Sequence, residues 1–321
     1  MKSNIYNKNF LITGGTGQVG SFLTEELLKN GANVTVIGRN MKNLKEIKNL
    51  VHTKKINFIE CDLMNEDNIK EKSDFLQNID FLVHLSSQFR FSKPNEISSA
   101  HHTIGLDIKG IIFLIQQLKK LEGILFASSV AVYGKPADTP VNENFPIKPI
   151  TFYGCGKFAA EKYLKLHCNN KNIPLTILRI STIYGQRDRS DQMIPIFIEK
   201  ALKNEPIDVY GKSLRDFVHI SDVIRAIISG ITLNQNKTIN IGTGKGFSNH
   251  FILKEIIEIT KSKSKIIHHE KSDNYNFVCD NLKAIKELGF VPTVLFEKGL
   301  EDEITWYKNE LEIESEQHDN N

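Results

Sequence analysis

Thr13-Gly14-Gly15-Thr16-Gly17-Gln18-Val19-Gly20 joins a strand-like segment to a helix-like one. Asn9 to Thr13 has the apolar character of a buried strand and stops at Gly14. Gln18 to Lys29 sets Val19, Phe22, Leu23, Leu27 and Leu28 along one helical face, and Asn30-Gly31 closes it. The stretch between them reads G-x-G-x-x-G from Gly15 and G-x-x-G-x-x-G from Gly14, both ending at Gly20. Glycines at those places let the chain turn tightly, let the backbone approach a pyrophosphate, and let the helix pack close to the strand. The start of the helix then offers unpaired N–H groups and the positive end of its dipole. A tight structural turn would satisfy the glycines alone. The strand–turn–helix setting makes the stretch a dinucleotide-binding signal.

Outward from this turn the chain keeps alternating. Strand patterns fall at Asn33 to Ile37, Ile56 to Glu60, Ile79 to Leu85, Ile124 to Ala127 and Leu175 to Arg179. Helix patterns fall between them at Met41 to Leu50, Asn65 to Gln77, Ser98 to Leu121 and Phe152 to Cys168. Such alternation predicts an α/β fold, a Rossmann-type doubly wound parallel sheet. After about residue 185 the rhythm breaks. Short strands at Asp208 to Tyr210, Asp216 to Ile220 and Thr238 to Ile241 mix with helices at Met193 to Lys203, Ser221 to Gly230, His250 to Lys261, Leu282 to Leu288 and Phe296 to Lys308. The expected division is a dinucleotide-binding domain over 1–185, which also takes part of 213–245, and a smaller mixed α/β substrate lobe over 186–309, interleaved with it. Residues 310–321, polar and acid-rich, are expected to form a disordered tail.

Composition excludes several classes. The 321 residues carry 41 Lys plus Arg against 38 Asp plus Glu, a net charge of +3, too balanced for electrostatic capture of nucleic acid or an anionic membrane. Cys61, Cys155, Cys168 and Cys279 form no C-x-x-C pair and describe no disulfide scaffold, so they read as free thiols of a reducing compartment. Met1 to Lys8 is polar, the first apolar run is too short for a signal peptide, and no window suits a membrane span, so cytoplasmic residence is expected. The adjacent pairs His101-His102 and His268-His269 have a poor spacing for chelation, and no metal site is expected.

At the end of the second strand a carboxylate would select NAD by bonding the adenosine ribose. The chain has Gly38, Arg39 and Asn40 there. Arg39 is placed to pair with a 2′-phosphate, which favours NADP over NAD, although it also fits an ordinary surface arginine. Asp62-Leu63, after the third strand, could bracket the adenine, or Asp62 could be a solvated loop acid. Tyr153-Gly154-Cys155-Gly156-Lys157 sets a phenol and an ammonium four residues apart, on one helical face. A neighbouring cation favours phenolate, so Lys157 is expected to bring the Tyr153 pKa down toward neutrality. Ser128-Ser129 ends the fifth strand, where ligands gather in open α/β sheets, and its hydroxyl can bond the oxygen that Tyr153 protonates.

With the turn, Ser128-Ser129 followed by Val132-Tyr133-Gly134, and Tyr153 to Lys157 in place, the chain resembles the extended short-chain dehydrogenase/reductases. Leu178-Arg179 with Ile183-Tyr184-Gly185, the run Arg215 to Val223, Asn240 to Gly244 and Leu288-Gly289-Phe290-x-Pro292 are similar to the nucleotide-sugar branch. The resemblance implies catalytic roles for Ser129, Tyr153 and Lys157. Candidate cofactor contacts are Gly14, Gly17, Gln18, Val19, Gly20, Arg39, Asp62, Leu63, Leu85, Ser86, Ser87, Tyr153, Lys157 and Ile180. Candidate substrate contacts are Ser87, Ser129, Thr182 and Arg215, the last holding a diphosphate unless it pairs with Asp216 or Asp222.

Departures from the family pattern narrow the chemistry. Val130 and Ala131 stand where the 4,6-dehydratases carry Asp-Glu, and Val130 where the 3,5-epimerising synthases carry Cys. Thr182 replaces the usual Asn. The loop before Arg215 is short, and a second phosphate arginine expected near Ser272 to Phe277 is missing. The expected activity is an NAD(P)-dependent nucleotide-sugar epimerase, like the UDP-glucose 4-epimerases. An NADPH-dependent 4-ketoreductase is the alternative, and an inactive dinucleotide-binding regulator the alternative of another class. A homodimer is expected, joined through Ser98 to Leu121 and Phe152 to Cys168.

Overall fold

Phe10 and Ile12 of the first strand face one layer of the core, and Leu11 between them faces the other, as a period of two requires of a strand covered on both sides. The computed structural model describes residues 5–40, 47–87, 96–270 and 276–319, with 312–319 as backbone alone. Most of the expected helix at Met41 to Leu50 therefore lies outside the described residues.

The first part runs β1 Asn9–Thr13, α1 Gln18–Lys29, β2 Asn33–Gly38, α2 Lys48–His52, β3 Asn57–Glu60, α3 Glu66–Glu71, α4 Ser73–Leu76 and β4 Phe81–His84. Then come α5 Ile97–Thr103, a π-helical turn Ile104–Gly110, α6 Ile111–Gln117, β5 Gly123–Ser129, α7 Phe152–Lys171 and β6 Leu175–Ile180. The predicted single helix at Ser98 to Leu121 is thus interrupted by the wide turn, and that at Asn65 to Gln77 breaks at Lys72. The second part runs β7 Thr182–Tyr184, α8 Met193–Leu202, β8 Ile207–Tyr210, β9 Leu214–His219, α9 Ile220–Leu233 and β10 Lys237–Ile241. It ends with β11 Gly246–Ser248, α10 Asn249–Thr260, β12 Ile266–His269, α11 Leu282–Leu288 and α12 Phe296–Asp319.

Seven parallel strands form the main sheet in the order β10-β6-β5-β4-β1-β2-β3. The chain builds outward from β1 through β2 to β3, then returns to β1's other side with β4. The crevice between β1 and β4 is therefore the point at which strand order reverses, where open α/β sheets bind ligands. Leu23 and Leu27 of α1 with Ile224 and Ile227 of α9 cover one face. Leu114 of α6 with Ala160 and Leu164 of α7 covers the other.

The smaller lobe has its own core of Phe197, Ile198, Ile207, Phe217, Leu300 and Ile304. It holds a three-stranded sheet β11-β9-β7 and a pair β12-β8. The last helix, α12, has the bounds Phe296–Asp319 and so takes in most of the stretch from Glu310 onward. Residues 300–319 contain no Gly or Pro and are rich in Glu, so propensity carries the helix on once its first turns are packed.

Candidate active site

The glycine turn sits in the β1–β4 crevice. Gly14 takes φ +69°, and the Gly17 N–H donates to its carbonyl at 3.1 Å. A Cβ on Gly20 would lie 2.3 Å from the Gly14 oxygen, so only glycine allows α1 to start this close to β1. Gly17 caps α1 without a side chain, and no acid occupies the first turn, which leaves the helix start open to an anion. Thr13 Oγ1 accepts from the N–H groups of Leu85 (3.2 Å) and Ser86 (3.1 Å), so its own proton goes to His84 Nδ1 at 2.9 Å. Burial lowers the His84 pKa to about 3, and the neutral ring fastens β4 to β1 under the turn.

In front of the turn lies a cavity of about 560 Å³. Gly14, Gly17, Gln18, Val19, Gly20, Arg39, Asp62, Leu63, Leu85, Ser86 and Ser87 line it. Asp62 also accepts from the Met64 N–H at 2.9 Å, so part of its carboxylate is engaged in its own turn. A second cavity of about 480 Å³ adjoins the first and shares Gln18, Val19, Leu85 and Ser87 with it. Ser129, Tyr153, Lys157, Ile180, Thr182 and Arg215 line this one. An uncapped helix start, glycines whose Cβ atoms would clash with backbone, and two adjoining cavities with shared walls fit a dinucleotide.

Tyr153 and Lys157 stand on the first two turns of α7, whose start is capped by Thr151 Oγ1 accepting from the Gly154 N–H at 3.1 Å. The glycines around Cys155 serve packing. A Cβ on Gly154 would meet the Ala131 oxygen at 2.6 Å, and one on Gly156 the Thr103 methyl at 2.1 Å. Cys155 faces solvent and the other three cysteines are buried, all four free. The Tyr153 hydroxyl is hydrogen-bonded to Ser129, and Ser129 Oγ also accepts from the Ala131 N–H at 3.2 Å. Lys157 Nζ donates to the Ala127 carbonyl at 2.9 Å and lies 5.9 Å from the Tyr153 ring centre.

The expectation that Lys157 brings the phenol down to neutrality is corrected. Burial pushes the Tyr153 pKa up to about 12, the charge of Asp107 acts in the same direction, and the Ser129 hydrogen bond only opposes them. Burial also lowers the Lys157 pKa, against the nearby carboxylates of Asp107 and Glu161.

Two acidic residues behind the site escaped sequence reasoning. Asp107, on the π-helical turn, is buried beside Ser87 and within electrostatic reach of Lys157, and burial raises its pKa. Glu161, one turn beyond Lys157, accepts from Ser128 Oγ (2.6 Å) and takes Arg179 in a two-point ion pair. Arg179 also reaches the Tyr133 hydroxyl at 2.9 Å, and that hydroxyl donates to Asn240 Oδ1 at 2.7 Å. The spacing Tyr153, Lys157, Glu161 was the available signal, since all three share one face of α7. Asp188 and Gln192, which line both cavities, carried no signal.

On the substrate side, both acids that might have paired with Arg215 have other partners. Asp216 accepts from Thr243, Gly244 and Cys279, and Asp222 pairs with Arg225. Most of Ser272 to Phe277 lies outside the described residues. Among the described residues no group of three or more His, Cys, Asp or Glu is placed to hold a metal ion, and no helix is long and apolar enough to cross a membrane.

The sheet order, the glycine turn and the Ser–Tyr–Lys wall define a dinucleotide-dependent enzyme of the extended short-chain dehydrogenase/reductase type. The family model for the NAD dependent epimerase/dehydratase family matches residues 10–242, and the chain belongs to that family. It is 31% identical to a putative UDP-glucose 4-epimerase of Methanocaldococcus jannaschii, over 93% of this chain and 98% of that one. It is 30% identical to a dTDP-4-dehydro-6-deoxyglucose reductase of Escherichia coli, over 91% and 95% of the two chains. Among solved structures, the UDP-glucuronic acid 4-epimerase of Bacillus cereus in complex with UDP-glucuronic acid and NAD superposes with a TM-score of 0.85. That pair is 27% identical and covers 94% of this chain and 99% of the other.

Proposed function

We propose that the protein is an NAD(P)-dependent nucleotide-sugar 4-epimerase. The observation that carries this reading is the Ser129–Tyr153 hydrogen bond, with Lys157 beside it, on the wall of a cavity continuous with the dinucleotide turn. When bound, the nicotinamide supplies a reversible hydride acceptor at the sugar carbon. Tyr153 takes the proton of the sugar hydroxyl and returns it after the ketone has turned over. Ser129 holds the same oxygen, and Arg215 and Thr182 hold the sugar nucleotide. A phenol with its pKa at about 12 must be made more acidic before it accepts that role. The Lys157 ammonium and the Ser129 hydroxyl both act in that direction once the reacting oxygen is in place.

Arg39, exposed at the far end of the first cavity, supports NADP, while the B. cereus neighbour holds NAD. That same arginine favours the second reading, an NADPH-consuming 4-ketoreductase, as does the similarity to the E. coli reductase. Absorbance at 340 nm separates the two. An epimerase interconverts UDP-sugars with bound cofactor and no net change, whereas a reductase shows steady loss of NADPH with a 4-keto-6-deoxy sugar nucleotide. Tyr153→Phe should lower the activity found by about 10²–10⁴-fold. Wild-type turnover in that variant would end both enzymatic readings in their present form. Exposed Ile104, Tyr163 and Leu166 on the π-helical turn and α7 support a homodimer through this face, which sedimentation would test.

A further inference from the structure

We propose that Glu303, on the C-terminal helix α12, is a positioning residue for the cofactor cavity, acting through the 185–188 loop on Gln18. The loop leaves β7 and is gripped from two sides. On the α12 side the Gly185 N–H donates to Glu303 Oε2 at 3.0 Å, and the Tyr307 hydroxyl donates to the Asp188 carbonyl at 2.9 Å. On the α1 side Gln18 Nε2 donates to the carbonyls of Gly185 (2.9 Å) and Gln186 (3.0 Å). The N–H and the C=O of one glycine therefore tie the last helix of the chain to the dinucleotide turn. Gly185 takes φ +121°, and a Cβ there would lie 2.9 Å from His219 Nε2, so the chain is pinched at this point.

Glu303 is fully buried, and nothing in the core requires a carboxyl at its position. Leu300 and Ile304, its neighbours on α12, are the residues that fill the lobe's apolar core. A carboxyl buried this deeply costs stability that an apolar side chain would not. Burial and the charge of Asp188 push its pKa well above the usual carboxylate range, and the atom it offers the loop is the oxygen that accepts from the Gly185 N–H. Glutamine keeps that oxygen and alanine removes it. At the other end of the loop, Asp188 and Gln18 each line both cavities, so a shift of the loop moves the shared wall.

The inference rests on the dinucleotide reading of the turn, and calorimetric titration of the full-length protein with NAD and NADP tests it. Glu303→Ala should weaken binding of the preferred dinucleotide about tenfold, the worth of one buried hydrogen bond, while Glu303→Gln stays within about twofold of wild type. Gln18→Ala should weaken it as well. The double variant should lose no more than the weaker single one, because both act through one loop. Multiplied losses, an unaffected Glu303→Ala, or a glutamine that behaves like alanine would each overturn the proposal. If Glu303→Ala does not fold, Tyr307→Phe takes its place in the same cycle with the same two outcomes. Amide exchange of residues 14–20 in the ligand-free protein gives a readout that needs no dinucleotide. It should rise about tenfold in Glu303→Ala and not in Glu303→Gln, and unchanged exchange refutes the proposal. A wild-type chain that binds neither dinucleotide overturns the reading of the turn, and the exchange result still decides the role of Glu303.

Discussion

Arg179 and Glu161 meet in a two-point ion pair out of water, Nε to Oε1 at 2.9 Å and Nη2 to Oε2 at 2.7 Å. The pair links β6 to α7 directly behind Lys157. Arg179→Met leaves the Glu161 carboxylate buried without its counter-charge, and unfolding stability in urea should fall by about 3–5 kcal/mol. Adding Glu161→Leu should restore most of the loss. A fall of less than about 1 kcal/mol in the single variant would show that solvent reaches the pair.

Gly20→Ala should be damaging to both fold and ligand binding, since the new methyl would sit 2.3 Å from the Gly14 oxygen and 2.4 Å from the Gly15 Cα. A cost of about 1–3 kcal/mol is expected, with dinucleotide affinity reduced at least tenfold as the turn is pushed away from α1. Gly17→Ala meets only the Gly14 oxygen at 3.4 Å and should cost about 1 kcal/mol or less. Equal unfolding midpoints for the two variants would contradict this ordering.

Arg39→Ala discriminates between cofactors. Loss of a charge-assisted contact to a 2′-phosphate should weaken NADP about 10- to 100-fold and leave NAD within about twofold. Parallel losses for both dinucleotides would remove Arg39 from the phosphate and leave it a general surface cation.

His84 makes stability pH-dependent. Its pKa is about 3 in the folded protein, below the ordinary value of 6.5, so the unfolded chain binds a proton first as the solution is acidified. The contribution is intact above about pH 6.5 and is lost as pH falls from there toward 3, by roughly 1.4 kcal/mol per unit. Asp188, raised to about 7, and buried Glu303 work the other way, losing stability as pH rises. The useful quantity is therefore the difference between wild type and His84→Asn. That difference should narrow by roughly 2 kcal/mol between pH 7 and pH 5. A constant gap would place a charged imidazole in the fold.

Residues 10–20 were readable because three independent signals, an apolar strand, a glycine spacing and a helical period, agree over one short stretch. Tyr153 and Lys157 were readable from their four-residue spacing, and the structure brings both to one cavity wall with Ser129. The Tyr153 pKa was misread because sequence displays the neighbour Lys157 and hides the burial that outweighs it. Asp107 looked like any helix acid, and its burial depends on the close approach of α7 at Gly156. Thr13 and His84 are 71 residues apart, and no local pattern announces their contact. β7 and β11, at three residues each, are too short to show a period.

The position of β10 at the sheet's margin has a consequence for anyone who would cut or graft this chain. The strand closing the β6 edge arrives only after β7, β8 and β9 have been laid down in the other lobe. A fragment ending near residue 185 would contain every part of the glycine turn. It would also leave the outer edge of β6, paired only with β5 on its other side, as a template for the next copy. Such a fragment is expected to precipitate rather than bind. The two lobes are separable by shape but not by scissors, and exchange between related proteins at this junction would have to carry two crossings of the chain together.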